Sequence, residues 1–546
     1  MIIWNSPLTV GDYDAVVDFG STAATTAGTY MTDGQYNPLL DFLDGADQIG
    51  FRVARDPYEL GTFAIGADSY SQDDFFATLG SRTNVDLRAV IRYPATTGGT
   101  GTPVAPGAHP LFLIEHGNHG FCRVGGHTHA TCPDRVRNHE GYMRLLEILA
   151  SHGIIAVSID AYDLTGPVPQ LIPERGQLIL KHIELWSHMS NATTFTTYPD
   201  FFSGRFAGHV DLSKISVSGH SRGGEASVAA YMLNTEPSFL IRAVSSIAPV
   251  DGQAYVLPDV PYFVILPAGD GDVSSLAGAR IYDRAGSGLT TPDLTTKSAI
   301  DVYGASHNFF NTVWAADGDD SPATRPDYIP AADQQRLGEA YLAAFTRVHL
   351  TGETVYEDML RGRLVFPSTA GRKIYAVRHE KIHSRLMSGN PAGWTPAGGA
   401  SATTVSNPSP QQTQVALVAW SSSTGELTRT VPAAQRDAST YEVLALRAAQ
   451  TWSAANPATG SQDFQIELTG GGKTKGIYIA RFYPLPKPYA HPYGLAHTLL
   501  TTVRIPLHSY IMNNAGVTLD DIDTIRFRFF SPSTGELYVD DIEFSR

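Results

Sequence analysis

Asp211-Leu-Ser-Lys-Ile-Ser-Val-Ser-Gly-His-Ser-Arg-Gly-Gly-Glu-Ala226 reads as a buried strand that turns through glycines straight into a helix. Its centre, Gly219-His-Ser-Arg-Gly223, is the pattern G-x-S-x-G in the setting that gives the pattern meaning. Glycines on both sides let the backbone reverse without a Cβ clash. The spacing therefore predicts Ser221 on a sharp elbow, its hydroxyl above the end of a sheet. A helix starting at once aims its first amides at the same spot and favours negative charge there. The same five residues also suit a plain glycine-rich turn, so the choice depends on what the rest of the chain brings to Ser221.

Working outward, apolar strand-sized runs at 86–93, 111–115, 154–159, 215–218, 241–247, 262–266 and 298–303 alternate with helix-like stretches at 141–151, 174–186, 222–233 and 331–348. Such alternation predicts βαβ units, a mostly parallel sheet flanked by helices, and functional residues at the carboxyl ends of the strands. A serine needs a base to take its proton and a carboxylate to orient that base. The run 262–266 leads into Gly269-Asp-Gly-Asp272, and the run 298–303 leads into His307. His307 is the expected base. Asp272 is the expected acid, Asp270 the alternative, and Asp251 stands behind both. An oxyanion needs two backbone donors. One is expected from the Arg222 amide and the other from the loop His116-Gly-Asn-His-Gly120, with the Asn118 amide preferred and Gly117 the alternative. The plainer reading of that loop is a tight turn permitted by its glycines.

With Ser221, Asp272 and His307 in this order, residues 85–350 resemble the α/β-hydrolase superfamily. The stretches 150–160, 219–225, 271–273 and 306–311 are similar to large secreted bacterial members related to the platelet-activating-factor acetylhydrolase and dienelactone hydrolase branches. The resemblance implies ester hydrolysis by acyl transfer, with no metal or organic cofactor. Amide hydrolysis by the same triad, as in prolyl peptidases of that fold, is one alternative. A polymer-binding protein with a vestigial hydrolase domain is the alternative of another class. Arg222-Gly-Gly-Glu225 departs from many esterases, which carry a small or apolar residue after the serine. A structural Arg222 to Glu225 pair is expected there ahead of a contact between Arg222 and a substrate carboxylate.

At roughly 100–200 residues per domain, 546 residues allow about three domains. The expected division is an irregular and β segment at 1–84 wrapping the catalytic domain, an α/β domain at 85–365, and an all-β sandwich at 366–546. A Pro-, Gly-, Ser- and Thr-rich stretch at 388–414 reads as a linker or long loop. Seven strand-like runs beyond it predict the sandwich. It resembles the jelly-roll modules of extracellular hydrolases, with an ending similar to the closing strand of carbohydrate-binding modules. Trp420, Trp452, Tyr483, Tyr489 and Tyr493 either stack on sugars or a polymer surface or pack internally, the second being preferred. The pentapeptide Ser-Thr-Gly-Glu-Leu, at Ser423 and again at Ser533, reads as two similar hairpin turns.

Lys+Arg 39 against Asp+Glu 54 gives a net charge of −15, which disfavours nucleic acid and anionic surfaces as partners. No apolar run approaches the ~20 residues of a membrane span. The two cysteines, Cys122 and Cys132, are expected to pair, with free thiols or a zinc site through Cys122, His127, His129 and Cys132 as alternatives. A disulfide fits a secreted protein whose signal peptide is not part of this sequence. No long lid-like insertion follows Ser221, which favours an open site and bulky or polymeric esters. The loop 164–169 and the N-terminal segment are the candidates to roof it.

Overall fold

The hairpin Ala64–Leu79 (β1) and Arg82–Ala95 (β2) opens a ten-stranded mixed sheet. The chain adds Gly99–Thr100 (β3), His109–Glu115 (β4), Ile155–Ile159 (β5), Val210–His220 (β6), Ile241–Ile247 (β7), Tyr262–Pro267 (β8), Lys297–Val302 (β9) and Ile374–His379 (β10). The computed structural model describes residues 10–13, 16–17, 42–43, 51–166, 169–191, 198–286, 295–318, 327–406, 414–511 and 516–546. Strand order is β10-β9-β8-β7-β6-β4-β5-β2-β1-β3. The strands from β9 across to β5 run parallel, with antiparallel β10 on one side and the β1–β2 hairpin on the other. Every residue of β4, β5, β8 and β9 is buried. Their continuous apolar runs follow from cover on both faces.

The cover comes from Met143–Ser151 (α1), Ile172–Ser190 (α2), Arg222–Leu233 (α3), Gly278–Ala285 (α4) and Ala331–Leu350 (α5). Residues of α2, α3 and α4 share one core with Leu111, Leu113, Val157, Val217 and Val264 of the strands. Phe263, out of phase with Val264, packs instead on Tyr341 and Phe345 of α5, with ring centroids 6.0 and 5.5 Å away. Helix α1 packs against α5. The two-residue repeat of a strand thus sends neighbouring side chains into two separate helical layers.

The sheet runs past both expected limits of the middle segment, 85 and 365. Strand β1 carries Gly66, Asp68, Ser69 and Ser71, because a partly exposed strand near the sheet edge needs no apolar run. Strand β10 lies beyond the change in composition near residue 365. Residues Met1–Glu59 form a separate unit, in which Gly11–Tyr13 pairs with Phe51–Val53 and Val16–Val17 with Phe42–Leu43. The remainder of the expected N-terminal wrap before residue 51 lies outside the described residues.

After His379 the chain builds two antiparallel sheets. One holds His383–Met387, Ala400–Val405, Val415–Trp420, Val443–Gln450, Thr501–Pro506 and Gly535–Ser545, and the other holds Trp394–Ala397, Gly425–Thr430, Gln465–Gly470, Lys473–Tyr478 and Ile522–Phe529. Side chains from both sheets, among them Val418, Leu427, Ile466, Phe527 and Val539, form one core, as in a β-sandwich. The stretch 388–414 is not simply a linker, since it contributes two of these strands. The two Ser-Thr-Gly-Glu-Leu copies are not hairpins either. Each lies where the chain crosses from one sheet to the other, before Gly425–Thr430 and before Gly535–Ser545. Trp420 explains the shared glycines: its ring stacks on Phe529 at 4.2 Å, and a Cβ at Gly535 would lie 2.2 Å from that ring.

Trp420 and Tyr489 are buried, Tyr483 is packed at the junction with the large sheet, and Trp452 and Tyr493 are exposed. The Tyr483 hydroxyl accepts from the Ala376 amide and donates to the Ile374 carbonyl of β10. Among the described residues, no helix is long and apolar enough to cross a membrane.

Candidate active site

Ser221 joins β6 to α3 with φ 58° and ψ −122°, a conformation costly for any residue with a Cβ. It is held there by tight backbone packing. A Cβ at Gly219 would lie 1.9 Å from the Gly223 carbonyl oxygen, and one at Gly223 would lie 2.3 Å from the Glu115 oxygen. The Ser221 amide donates to the Ile247 carbonyl at 2.8 Å, tying the elbow to β7. Arg222 is the first residue of α3, at the end of the helix where backbone amides point outward.

The loop after β4 presses on the serine from the other side. A Cβ at Gly117 would stand 2.4 Å from Ser221 Cβ and 3.1 Å from its Oγ. Asn118 lines the same cleft, and its side-chain oxygen accepts from the Gly166 amide at 2.7 Å. His116 fixes this loop. Its Nε2 accepts from the Ala161 amide at 2.9 Å, so its Nδ1 carries the proton and donates to the Gly117 carbonyl at 2.8 Å. Burial keeps the ring neutral by lowering its pKa. Beneath it, fully buried Arg175 of α2 donates to Glu115 Oε1 at 2.7 Å and to the carbonyls of His116 and Leu164 at 2.9 Å. Burial pushes the Glu115 carboxyl up to about 7 against the pull of Arg175. Neither Arg175 nor the anchoring role of His116 was picked out from sequence. An arginine inside an otherwise apolar helix stripe, near Leu178, was the available signal.

His307 follows β9 as expected, and its ring lies 4.9 Å from that of His220 and stacks on Trp314 at 6.2 Å. Its Nδ1 lies 2.9 Å from Asp270 Oδ2, both side chains being buried. The other Asp270 oxygen accepts the amides of Asp272 and Val273 at 2.9 and 2.6 Å. Asp272, the acid expected from the sequence, lies by the other ring nitrogen of His307. Its side chain is 62% exposed, and its Oδ2 lies 3.6 Å from His307 Nε2. Asp251 is engaged by Arg280 and Arg284. His220 is held neutral by burial, with His307 beside it acting in the same direction. Gln334 of α5 clamps the His307 loop by accepting the Ser306 amide and donating to the Ser306 carbonyl.

Ser221 lies in a cleft of about 380 Å³ lined mostly by polar groups, including Asn118, Gln170, Arg222, Asp272, Ser274 and Arg280. The expected Arg222 to Glu225 pair does not form. Glu225 instead accepts the amides of Gly252 and Gln253 at 2.8 and 2.6 Å, and Arg222, at the cleft, places Nη1 3.5 Å from the Gly166 carbonyl oxygen. Cys122 and Cys132 are joined in a disulfide, which removes both thiolates from the zinc reading. Of the loop 164–169, Pro167 and Val168 lie outside the described residues. No protein-family model matches the chain, and no curated protein matches it.

Proposed function

We propose that this protein is a serine hydrolase that cleaves carboxylic esters through an acyl-enzyme. The observation that carries the reading is a strained Ser221 elbow with the Gly117 loop against its hydroxyl, beside a buried Asp270 to His307 pair whose imidazole lies 4.9 Å from the ring of His220, the residue before the serine. Strand order supports it. The serine follows β6, the acid β8 and the histidine β9, the arrangement that the resemblance to α/β-hydrolases leads one to expect.

In this reading His307 Nε2 takes the Ser221 proton as Oγ adds to the ester carbonyl carbon. Asp270, bonded to Nδ1, fixes the tautomer and stabilises the imidazolium. The carbonyl oxygen becomes an oxyanion held by the Arg222 amide and an amide of the Gly117-Asn118 loop. Collapse breaks the ester C–O bond, and the leaving alkoxide takes the proton from Nε2. Water then repeats the sequence: it gives a proton to His307, adds to the acyl carbon and releases Ser221 with a carboxylic acid. The few apolar lining residues, Val250, Val273 and Ala277, offer little cover for a long acyl chain. Short acyl groups on polar alcohols suit the cleft best. The Cys122 to Cys132 disulfide suits an oxidising compartment outside the cytosol.

The test is hydrolysis of p-nitrophenyl acetate, butyrate and decanoate by the wild type and Ser221→Ala. A burst followed by turnover that declines with chain length and vanishes in Ser221→Ala is expected. Full turnover by Ser221→Ala overturns the proposal.

A further inference from the structure

The sandwich sends one strap back to the cleft. Tyr489–Ala490 pairs with Ala496–His497 as a small hairpin, closed by the His491 amide donating to the Leu495 carbonyl. At its turn His491 is only 3% exposed, and its Nε2 lies 2.8 Å from the main-chain oxygen of Asp270, 221 residues earlier. The tautomer follows from the partners. The Tyr493 amide donates to Nδ1 at 3.1 Å, so Nε2 carries the proton and donates to the Asp270 carbonyl. His497 of the same hairpin lies by the Ser274 backbone, and its ring is 5.2 Å from that of His491.

The strap also holds the neighbouring loop. Tyr303, just after β9 and four residues before His307, donates its hydroxyl proton to the Lys487 carbonyl, and its ring lies 5.0 Å from that of Tyr489. Tyr489 donates to Asp327 Oδ1 at 3.2 Å. Ala268 of the acid loop joins Tyr303, Tyr489 and Tyr375 in one small cluster. Within the large sheet the two loops are linked to each other by the Gly269 amide donating to the Ala305 carbonyl. Two of the three elements meeting at the site are thus buttressed by the C-terminal module.

We infer that His491 is a positioning residue for the Asp270 to His307 pair, and that the β module is thereby a structural part of the hydrolytic site. A donor on the Asp270 carbonyl fixes the orientation of that peptide. Its side chain then presents Oδ2 to His307 Nδ1 while Oδ1 takes the amides of Asp272 and Val273. The module's exposed aromatics are not needed for this role, which separates it from polymer binding. The inference rests on the serine-hydrolase reading.

The test uses the full chain with p-nitrophenyl acetate. His491→Phe fills the space without a donor and is expected to lower kcat by about 10- to 100-fold with KM little changed, since misplacement by a fraction of an ångström disables a proton relay. The acidic limb of its kcat/KM profile, which reports His307, moves to lower pH, because a displaced Asp270 stabilises the imidazolium less. His491→Gln, which keeps a side-chain N–H, restores most of kcat. Trp452→Ala, at an exposed aromatic of the module outside the strap, leaves the profile unchanged. Thermal melting scores folding. If His491→Phe does not fold, His491→Gln decides alone: near-normal kcat supports the inference, and a folded but slow His491→Gln refutes it. Wild-type kcat and pH profile in folded His491→Phe also refute it while leaving the hydrolase reading intact. Turnover in Ser221→Ala refutes the underlying reading instead.

Discussion

Gly117→Ala is the sharpest structural perturbation available, because it adds one carbon where the site has no room. The new Cβ would meet Ser221 Cβ at 2.4 Å and the His220 oxygen at 2.6 Å. Ordinary contact begins near 3.4 Å, so the loop must retreat by about 1 Å. Both obstructing groups belong to the elbow, which cannot yield while Gly219 and Gly223 remain packed against backbone. Gly117 is not among the positive-φ positions, so alanine brings no conformational strain and the cost is confined to the contact. A 1 Å displacement of catalytic groups costs on the order of 100-fold in rate, or about 2.7 kcal/mol of transition-state stabilisation. The assay is steady-state hydrolysis of p-nitrophenyl acetate, with thermal melting to show that the fold persists. A loss of about 100-fold in kcat with KM nearly unchanged and a lowered melting temperature is expected. Wild-type kcat in a folded Gly117→Ala would refute the assignment of this loop to the oxyanion.

Asp270→Asn is expected to lower kcat by about 10³- to 10⁴-fold, whereas Asp272→Asn stays within about tenfold of wild type; parallel pH profiles of the two variants check the order. Ser221→Gly is expected to be inactive yet more stable by about 1 kcal/mol, since glycine relieves the φ 58° elbow, a gain readable by urea unfolding. Acid stability follows from Glu380 at the module junction. Burial raises its carboxyl, but Arg378, Arg361 and Arg504 outweigh burial and hold it down to about 2. A depressed carboxylate contributes stability above its unfolded pKa and loses it as pH falls from about 4.5 towards 2. That loss is at most about 3 kcal/mol, since burial also pushes Arg504 down to about 10. Melting curves of Glu380→Gln between pH 7 and pH 2.5 should show lower stability at neutral pH and a flatter acid limb; an unchanged acid limb would remove Glu380 from this role.

The large sheet was legible wherever strands are buried on both faces, because a run such as Leu111 to Glu115 admits few other readings. Helix α4 was missed, being short and following the Asp272 turn directly. The sheet-crossing turns were read as hairpins because local composition specifies a turn and not which sheet the next strand joins; that is decided by Trp420 and Phe529, more than a hundred residues apart. The elbow was readable because three constraints fall within five residues. Which of Asp270 and Asp272 meets His307 Nδ1 was not, since both stand in the same turn and differ in burial and in the two amides that converge on Asp270. His491 left no sequence signal at all, as its partner is a main-chain oxygen.

The central claim is that Ser221 is a nucleophile activated by His307. Intact-mass analysis after treatment with a fluorophosphonate probe tests it most directly. One adduct per chain, located on Ser221, absent from Ser221→Ala and slowed by at least about 100-fold in His307→Ala, is the predicted result. An unlabelled wild type, or an adduct that persists in Ser221→Ala, would contradict it.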